Sequence, residues 1–158
     1  MNRCLFRCVL VLFINISLVS QALSAEHEVL MLDEKSSGDM VFEPSLIHVS
    51  VGDTVKFIAK DWGHNAESIA ALSPVGATAF YGEINKDVTV TLDTEGVHVI
   101  QCNPHSLMGM VAVIVVGSAI NLAKIKEDSA LMNKNFRMKR ERLEEIYARI
   151  ENDPKFGS

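Results

Sequence analysis

The sequence predicts an all-β fold, a Greek-key β-sandwich, with two C-terminal α-helices packed on it. Three observations predict this. Between residues 28 and 117, short β-rich runs recur with turn residues between them. Within one run Val88, Val90 and Leu92 alternate with Thr89 and Thr91, the period of a strand with one buried face. After Gly117 that alternation gives way to apolar residues at helical spacing.

The N-terminal segment stands apart from this domain. Arg3 and Arg7 precede an apolar run over residues 9–19, broken only by Asn15 and Ser17. Ala22-Leu23-Ser24-Ala25 then offers small residues for cleavage after Ser24 or Ala25. Residues 1–24 read as a secretory signal peptide, too short in its apolar part to span a bilayer comfortably. No membrane attachment is expected after cleavage.

Residues 25–117 form the sandwich. Strands are expected over 29–32, 46–50, 54–59, 88–92, 97–102 and 111–116. Ser36-Ser37-Gly38-Asp39, Val51-Gly52-Asp53 and Asp93-Thr94-Glu95-Gly96 supply turns between them. The run 111–116, Val-Ala-Val-Ile-Val-Val, is apolar on both faces and is expected inside a sheet covered on both sides. Residues 66–82 are irregular, with a short helical turn expected near 78–81.

Residues 118–158 read as a helical extension of the same domain, with helices over 119–127 and 130–152. Leu122, Ile125, Phe136, Leu143, Ile146, Tyr147 and Ile150 make the apolar stripe. Arg137–Glu141, Arg140–Glu144 and Glu145–Arg149 place opposite charges four apart on the other face. The stripe is too sparse for a separate bundle, so it is expected to cover the sandwich.

The chain of 158 residues carries 15 Lys and Arg against 20 Asp and Glu, a net charge of −5. Residues 25–117 hold 13 acidic and 4 basic residues, whereas 118–158 hold 9 basic and 7 acidic. An acidic body of this kind excludes nucleic acid as the partner.

Cys4 and Cys8 leave with the signal peptide, so Cys102 is the one cysteine of the mature chain. It has no internal disulfide partner, and a lone thiol in an oxidising compartment calls for a protected role. Cys102 opens the run Cys102-Asn103-Pro104-His105-Ser106-Leu107-Met108-Gly109-Met110. With His64 upstream, Cys102, His105 and Met110 supply one thiolate, two imidazoles and one thioether, the ligand set of a single type 1 (blue) copper ion. Zinc prefers four strong ligands and gains little from a thioether. Met108 competes with Met110, but it would close a tighter loop. Pro104 stiffens the loop between the ligands, and Gly63 frees the backbone beside His64. Asn65 is expected to donate an amide hydrogen to the Cys102 sulfur and to tie the two loops together. His27, His48 and His98 are expected to be exposed or locally satisfied.

These residues make the mature chain resemble the pseudoazurins, small periplasmic blue copper proteins of the cupredoxin family. The similarity includes Glu28-Val29 with Met31-Leu32, Met40-Val41-Phe42-Glu43-Pro44, Gly52-Asp53-Thr54-Val55, Gly63-His64-Asn65, Ala79-Phe80 and the loop from Cys102 to Met110. The resemblance implies an eight-stranded sandwich followed by two helices, a periplasmic location, and a one-electron carrier rather than an enzyme. Its implied partners are transient redox proteins, with cytochromes as donors and copper nitrite reductase or another reductase as acceptor. A monomer is expected. The resemblance also implies that Met40 packs beside His105, whose edge lies in an apolar docking patch with Trp62, Pro104, Leu107 and Met108. Pseudoazurins usually ring that patch with lysines, where this chain has Glu34, Trp62 and Gln101. They commonly have Tyr-Gly where it has Ser106-Leu107. Steering toward an acidic partner is therefore expected to be weak or reversed.

The alternative reading is copper storage or delivery, in which Met40, Met108 and Met110 serve Cu(I) transfer from an exchangeable site. A multicopper oxidase fragment is disfavoured, because the chain lacks the paired His-x-His motifs of a trinuclear cluster.

Overall fold

The computed structural model describes residues 24–36 and 38–156. Apart from Ser24, the expected signal peptide lies outside them. The described chain contains eight strands: β1 (Glu26–Lys35), β2 (Gly38–Glu43), β3 (Leu46–Val49), β4 (Thr54–Ala59), β5 (Glu67–Ser68), β6 (Val88–Thr91), β7 (Gly96–Gln101) and β8 (Val111–Val116). Two helices follow, α1 (Leu122–Asn135) and α2 (Arg142–Asn152). The strands form two four-stranded sheets, in the orders β2-β1-β4-β6 and β3-β8-β7-β5. The β1–β4 and β3–β8 pairs are parallel and the others antiparallel, so the predicted sandwich with two C-terminal helices is the observed fold.

The all-apolar strand β8 explains how three layers hold together. All six of its residues are buried. Val111, Val113 and Val115 join Val97 and Val99 of β7 in a core with the helices. Ala112, Ile114 and Val116 point the other way, into the core between the sheets with Val29, Phe42, Val55 and Phe57. The alternation of side chains along one strand thus supplies two cores. Every residue of the C-terminal apolar stripe, from Leu122 to Ile150, is buried in the helix-side core. Tyr147 donates its buried hydroxyl hydrogen to Ser129 Oγ at 3.1 Å, linking the two helices.

Four local expectations are corrected. Strand β2 begins within the expected turn, because Lys35 and Gly38 face each other and a tight connection suffices. Phe42 on this strand is fully buried and meets Phe57 edge-on at 5.8 Å, which anchors the register. Second, strand β5 lies in the irregular stretch 66–82. Third, the helical turn expected near 78–81 is a 3-10 turn over Ala70–Leu72. Phe80 stacks on Phe57 and exchanges hydrogen bonds with Ser68, and Tyr81 bridges to Glu67, so this segment is drawn out along β5. Fourth, the break between the helices falls at 136–141, not at 128–129. Phe136 turns inward in extended conformation and is buried, and Lys139 adopts a φ of 48°. Arg137 and Arg140 therefore precede α2, and their spacing to Glu141 and Glu144 is not that of one helix.

The start of β1 is tied down by Asp53. Its carboxylate accepts hydrogen bonds from the Ala25 and Ser50 backbone N–H groups, both at 2.9 Å, and lies 3.0 Å from His27 Nε2. These bonds, the backbone donors first, lower its pKa from 3.8 to about 2. A carboxylate with a depressed native pKa stabilises the fold above its unfolded value and loses that contribution as pH falls through the native one. Between pH 3.8 and about 2, amide exchange over Ala25–Val29 is therefore expected to accelerate, and Asp53→Asn should remove that acid-dependent step. Among the described residues no helix is long and apolar enough to cross a membrane.

Candidate metal centre

At one end of the sandwich, two loops converge. The first follows β4 and carries Gly63-His64-Asn65. Gly63 has a φ of 92°, the left-handed region that favours glycine. A Cβ there would meet only His105 Cε1 at 3.6 Å, an ordinary contact, so backbone conformation and not crowding selects glycine. Asn85 pins this loop from below. Its Oδ1 accepts from the Gly63 N–H at 2.5 Å, and its own N–H donates to the His64 carbonyl at 2.8 Å.

The second loop joins β7 to β8. Its ends are closed by the Cys102 N–H donating to the Met110 carbonyl at 3.0 Å. A 3-10 turn over Ser106–Met108 follows His105, and Gly109 ends it at a φ of 72°. The Asn65 side chain ties the two loops. Its Oδ1 accepts from the Asn103 N–H at 2.8 Å, while its Nδ2 donates to the Gly82 carbonyl at 3.0 Å. The side-chain amide thus faces away from the sulfur. The backbone N–H groups of Asn65 and His105 are the ones that stabilise a Cys102 thiolate.

Three donor atoms meet between the loops. Cys102 Sγ lies 3.8 Å from His64 Nδ1 and 3.5 Å from His105 Nδ1, and the two Nδ1 atoms are 3.1 Å apart. No other group of three or more His, Cys, Asp or Glu donors among the described residues is so placed. His64 and Cys102 are fully buried, whereas His105 keeps part of its ring exposed. Met110 is also fully buried, in the same apolar cluster as Cys102.

His64 has a second partner. Its Nε2 lies 3.0 Å from Asp33 Oδ1. An ionised carboxylate only accepts, so Nε2 carries the hydrogen and the Nδ1 lone pair faces Cys102 and His105. Burial and the His64 ring lower the pKa of His105, with Asp33 pulling the other way. Burial pushes the Cys102 thiol up, and Glu67 adds to this against the two backbone donors. Two imidazole nitrogens turned toward a buried thiol that resists losing its proton to water are the arrangement a cation completes. The donor set fits copper, because a thiolate, two imidazoles and a nearby thioether leave zinc short of a fourth strong ligand.

The surface around His105 is apolar and exposed. Trp62 is 83% exposed and Leu107 54%, and Pro104 is exposed beside them. Met108 and Met40 are half-buried. Gln101 is the last residue of β7, its Nε2 donating to Glu67 Oε1 at 2.8 Å.

Three features were missed in the sequence. Asp33 had no motif to mark it. Arg142, which opens α2, is buried and donates to the carbonyls of Gly109 at 2.6 Å, Met40 at 2.8 Å and Asp39 at 3.1 Å. The interhelix linker packs on the metal-site loop, with the Arg137 N–H donating to the Leu107 carbonyl at 2.6 Å. This brings exposed Arg137, Met138 and Lys139 beside the patch, so its rim is basic on the linker side and acidic where Asp33 meets Asp61 next to His64.

Comparison with known proteins agrees with this geometry. The model of the plastocyanin/azurin family of copper-binding proteins matches residues 29–117. The chain is 36% identical over 143 residues to the pseudoazurin of Methylorubrum extorquens, covering 89% of this chain and 92% of that protein. It is 38% identical over 104 residues to the pseudoazurin of Paracoccus pantotrophus, covering 66% and 72%. Among solved structures, a Sinorhizobium pseudoazurin superposes with a TM-score of 0.74 at 41% identity, covering 81% of this chain and 98% of that one.

Proposed function

The chain belongs to the plastocyanin/azurin family of copper-binding proteins and within it to the pseudoazurins, and from that premise we propose that it is a periplasmic carrier of single electrons between redox proteins. One observation carries this reading. A buried cysteine sulfur and two imidazoles converge at a point whose one solvent-facing member, His105, opens onto an exposed apolar patch. His64, Cys102, His105 and Met110 would hold the ion, with the Met110 thioether as the weakest of the four donors. Copper bound to such donors cycles between Cu(I) and Cu(II).

The chain's own residues then do three things. The hydrogen bond across the loop ends, together with the Asn65 tie, keeps the donors in place, so that oxidation or reduction demands little rearrangement. The sandwich excludes water from His64 and Cys102. Trp62, Pro104, Leu107 and Met108 offer an apolar contact small enough for quick release after transfer. Storage or delivery would need an exchangeable ion. Full burial of His64, Cys102 and Met110 favours retention instead.

The patch can be tested directly. Trp62→Ala is expected to slow electron transfer to a copper nitrite reductase or a c-type cytochrome by about tenfold, as for an aromatic interface anchor. The reduction potential should stay unchanged. Stopped-flow rates should vary little with ionic strength, because the rim carries both signs. An unchanged rate in the variant would move the docking surface elsewhere.

A further inference from the structure

We propose that Asp33 is the positioning residue of His64, and that its negative charge holds the site's reduction potential down. The inference rests on the copper reading of the site and concerns the ligand most distant from the metal-site loop. His64 is completely buried, and its Nε2 is within 3.0 Å of Asp33 Oδ1. Asp33 is not itself buried; its side chain is 58% exposed. It sits on the last part of β1, and its backbone N–H donates to Asp61 Oδ2 at 2.8 Å, which fixes the turn of backbone that aims it.

Two effects follow from this contact. The first is orientation. Unless Nε2 is held protonated, the imidazole can place its hydrogen on Nδ1, the atom facing Cys102 and His105, and present no lone pair there. The second is charge. A carboxylate hydrogen-bonded to a ligand imidazole makes that ligand more basic and adds negative charge near the ion. Both favour Cu(II) over Cu(I). Half-exposure screens the charge without removing it. A neutral amide of the same shape would keep an acceptor for Nε2–H and lose the charge, so the two effects can be separated.

The experiment compares Asp33→Asn and Asp33→Leu with the native protein. Nitrogen-15 NMR on the metal-free proteins reads the His64 tautomer, and redox titration of the copper-loaded proteins reads the potential. The native protein and Asp33→Asn should both show hydrogen on Nε2, whereas Asp33→Leu should show a mixture of tautomers. At a fixed ambient potential, Asp33→Asn should shift the oxidised-to-reduced ratio about three- to tenfold toward the reduced form, tenfold being about 59 mV for one electron. Thermal melting of both variants checks that the fold is retained. A native tautomer in Asp33→Leu, or a ratio in Asp33→Asn within twofold of native, would overturn the inference. Failure of the copper reading looks different: the native protein itself would then take up no copper, and the tautomer comparison would still stand.

Discussion

Replacing Cys102 by serine is expected to abolish the blue colour of copper-loaded protein and to weaken copper retention by more than about 100-fold, beyond the loss seen when only an outer hydrogen-bond partner of a metal ligand is removed. The colour requires a sulfur-to-copper bond, and a serine hydroxyl is a hard, neutral donor at this pH. The fold should survive. Cys102 is fully buried but small, and its backbone N–H, not its side chain, closes the loop onto Met110. Exchanging the thiol for a hydroxyl in this apolar setting costs about 1–2 kcal/mol in the metal-free protein. Titration with Cu(II) followed by visible absorption, with thermal melting of the metal-free form, separates loss of the ligand from loss of the fold. A serine variant that stays blue would remove Cys102 from the site.

The second large effect is expected at Arg142, remote in sequence from the proposed ligands. Its guanidinium is buried and is shared among three carbonyls, on the β1–β2 hairpin and at Gly109, the neighbour of Met110. Gly109 is also crowded by the linker, since a Cβ there would come within 3.0 Å of the Lys139 carbonyl. Arg142 thus fastens α2, Met40 and the metal-site loop at one point. Met40 itself holds a φ of 48°, a conformation that a non-glycine residue keeps only when its surroundings impose it. Arg142→Met leaves three carbonyls, that of Gly109 buried, without their guanidinium donor and should cost about 3 kcal/mol. For a domain of this size that lowers the melting temperature by roughly 6–12 °C. Copper release to a chelator should accelerate at the same time, because the loop bearing Cys102, His105 and Met110 loses its outer fastening. Arg142→Lys should rescue little, since an ammonium lacks the planar fork that reaches three acceptors. If Arg142→Met melts like the native protein and keeps its copper as well, the helical extension has no part in holding the loop.

The parts of this molecule that were legible in its sequence are those with a strong local signature. Val88 to Leu92 alternates cleanly, and 111–116 is apolar throughout, so both read as strands. The spacing from Cys102 to Met110 encodes a short loop whose donors need no knowledge of the tertiary fold. His64 was legible because its chemistry complements that loop. The rest depends on pairing at a distance. Strand β5 is two residues long and carries no period; it exists because Ser68 and Phe80 hold each other and Phe80 stacks on Phe57. The helix break at 136–141 has no proline or glycine to announce it. It follows from Phe136 leaving the helical path for the core, beside the loop it supports. Asp33 reads as one surface carboxylate among several until β1 and the loop after β4 bring it to His64. Arg142 resembles any charged residue at a helix start, and only the folded chain shows that three carbonyls on two other segments converge on it.

The central claim is that these four side chains share one copper ion. Anomalous diffraction at the copper edge, from crystals of copper-loaded protein, tests it most directly. A single peak is predicted between His64 Nδ1, Cys102 Sγ and His105 Nδ1, with the Met110 sulfur beside it as the fourth and more distant neighbour. A peak at any other place, or four side chains turned away from the ion, would contradict the account.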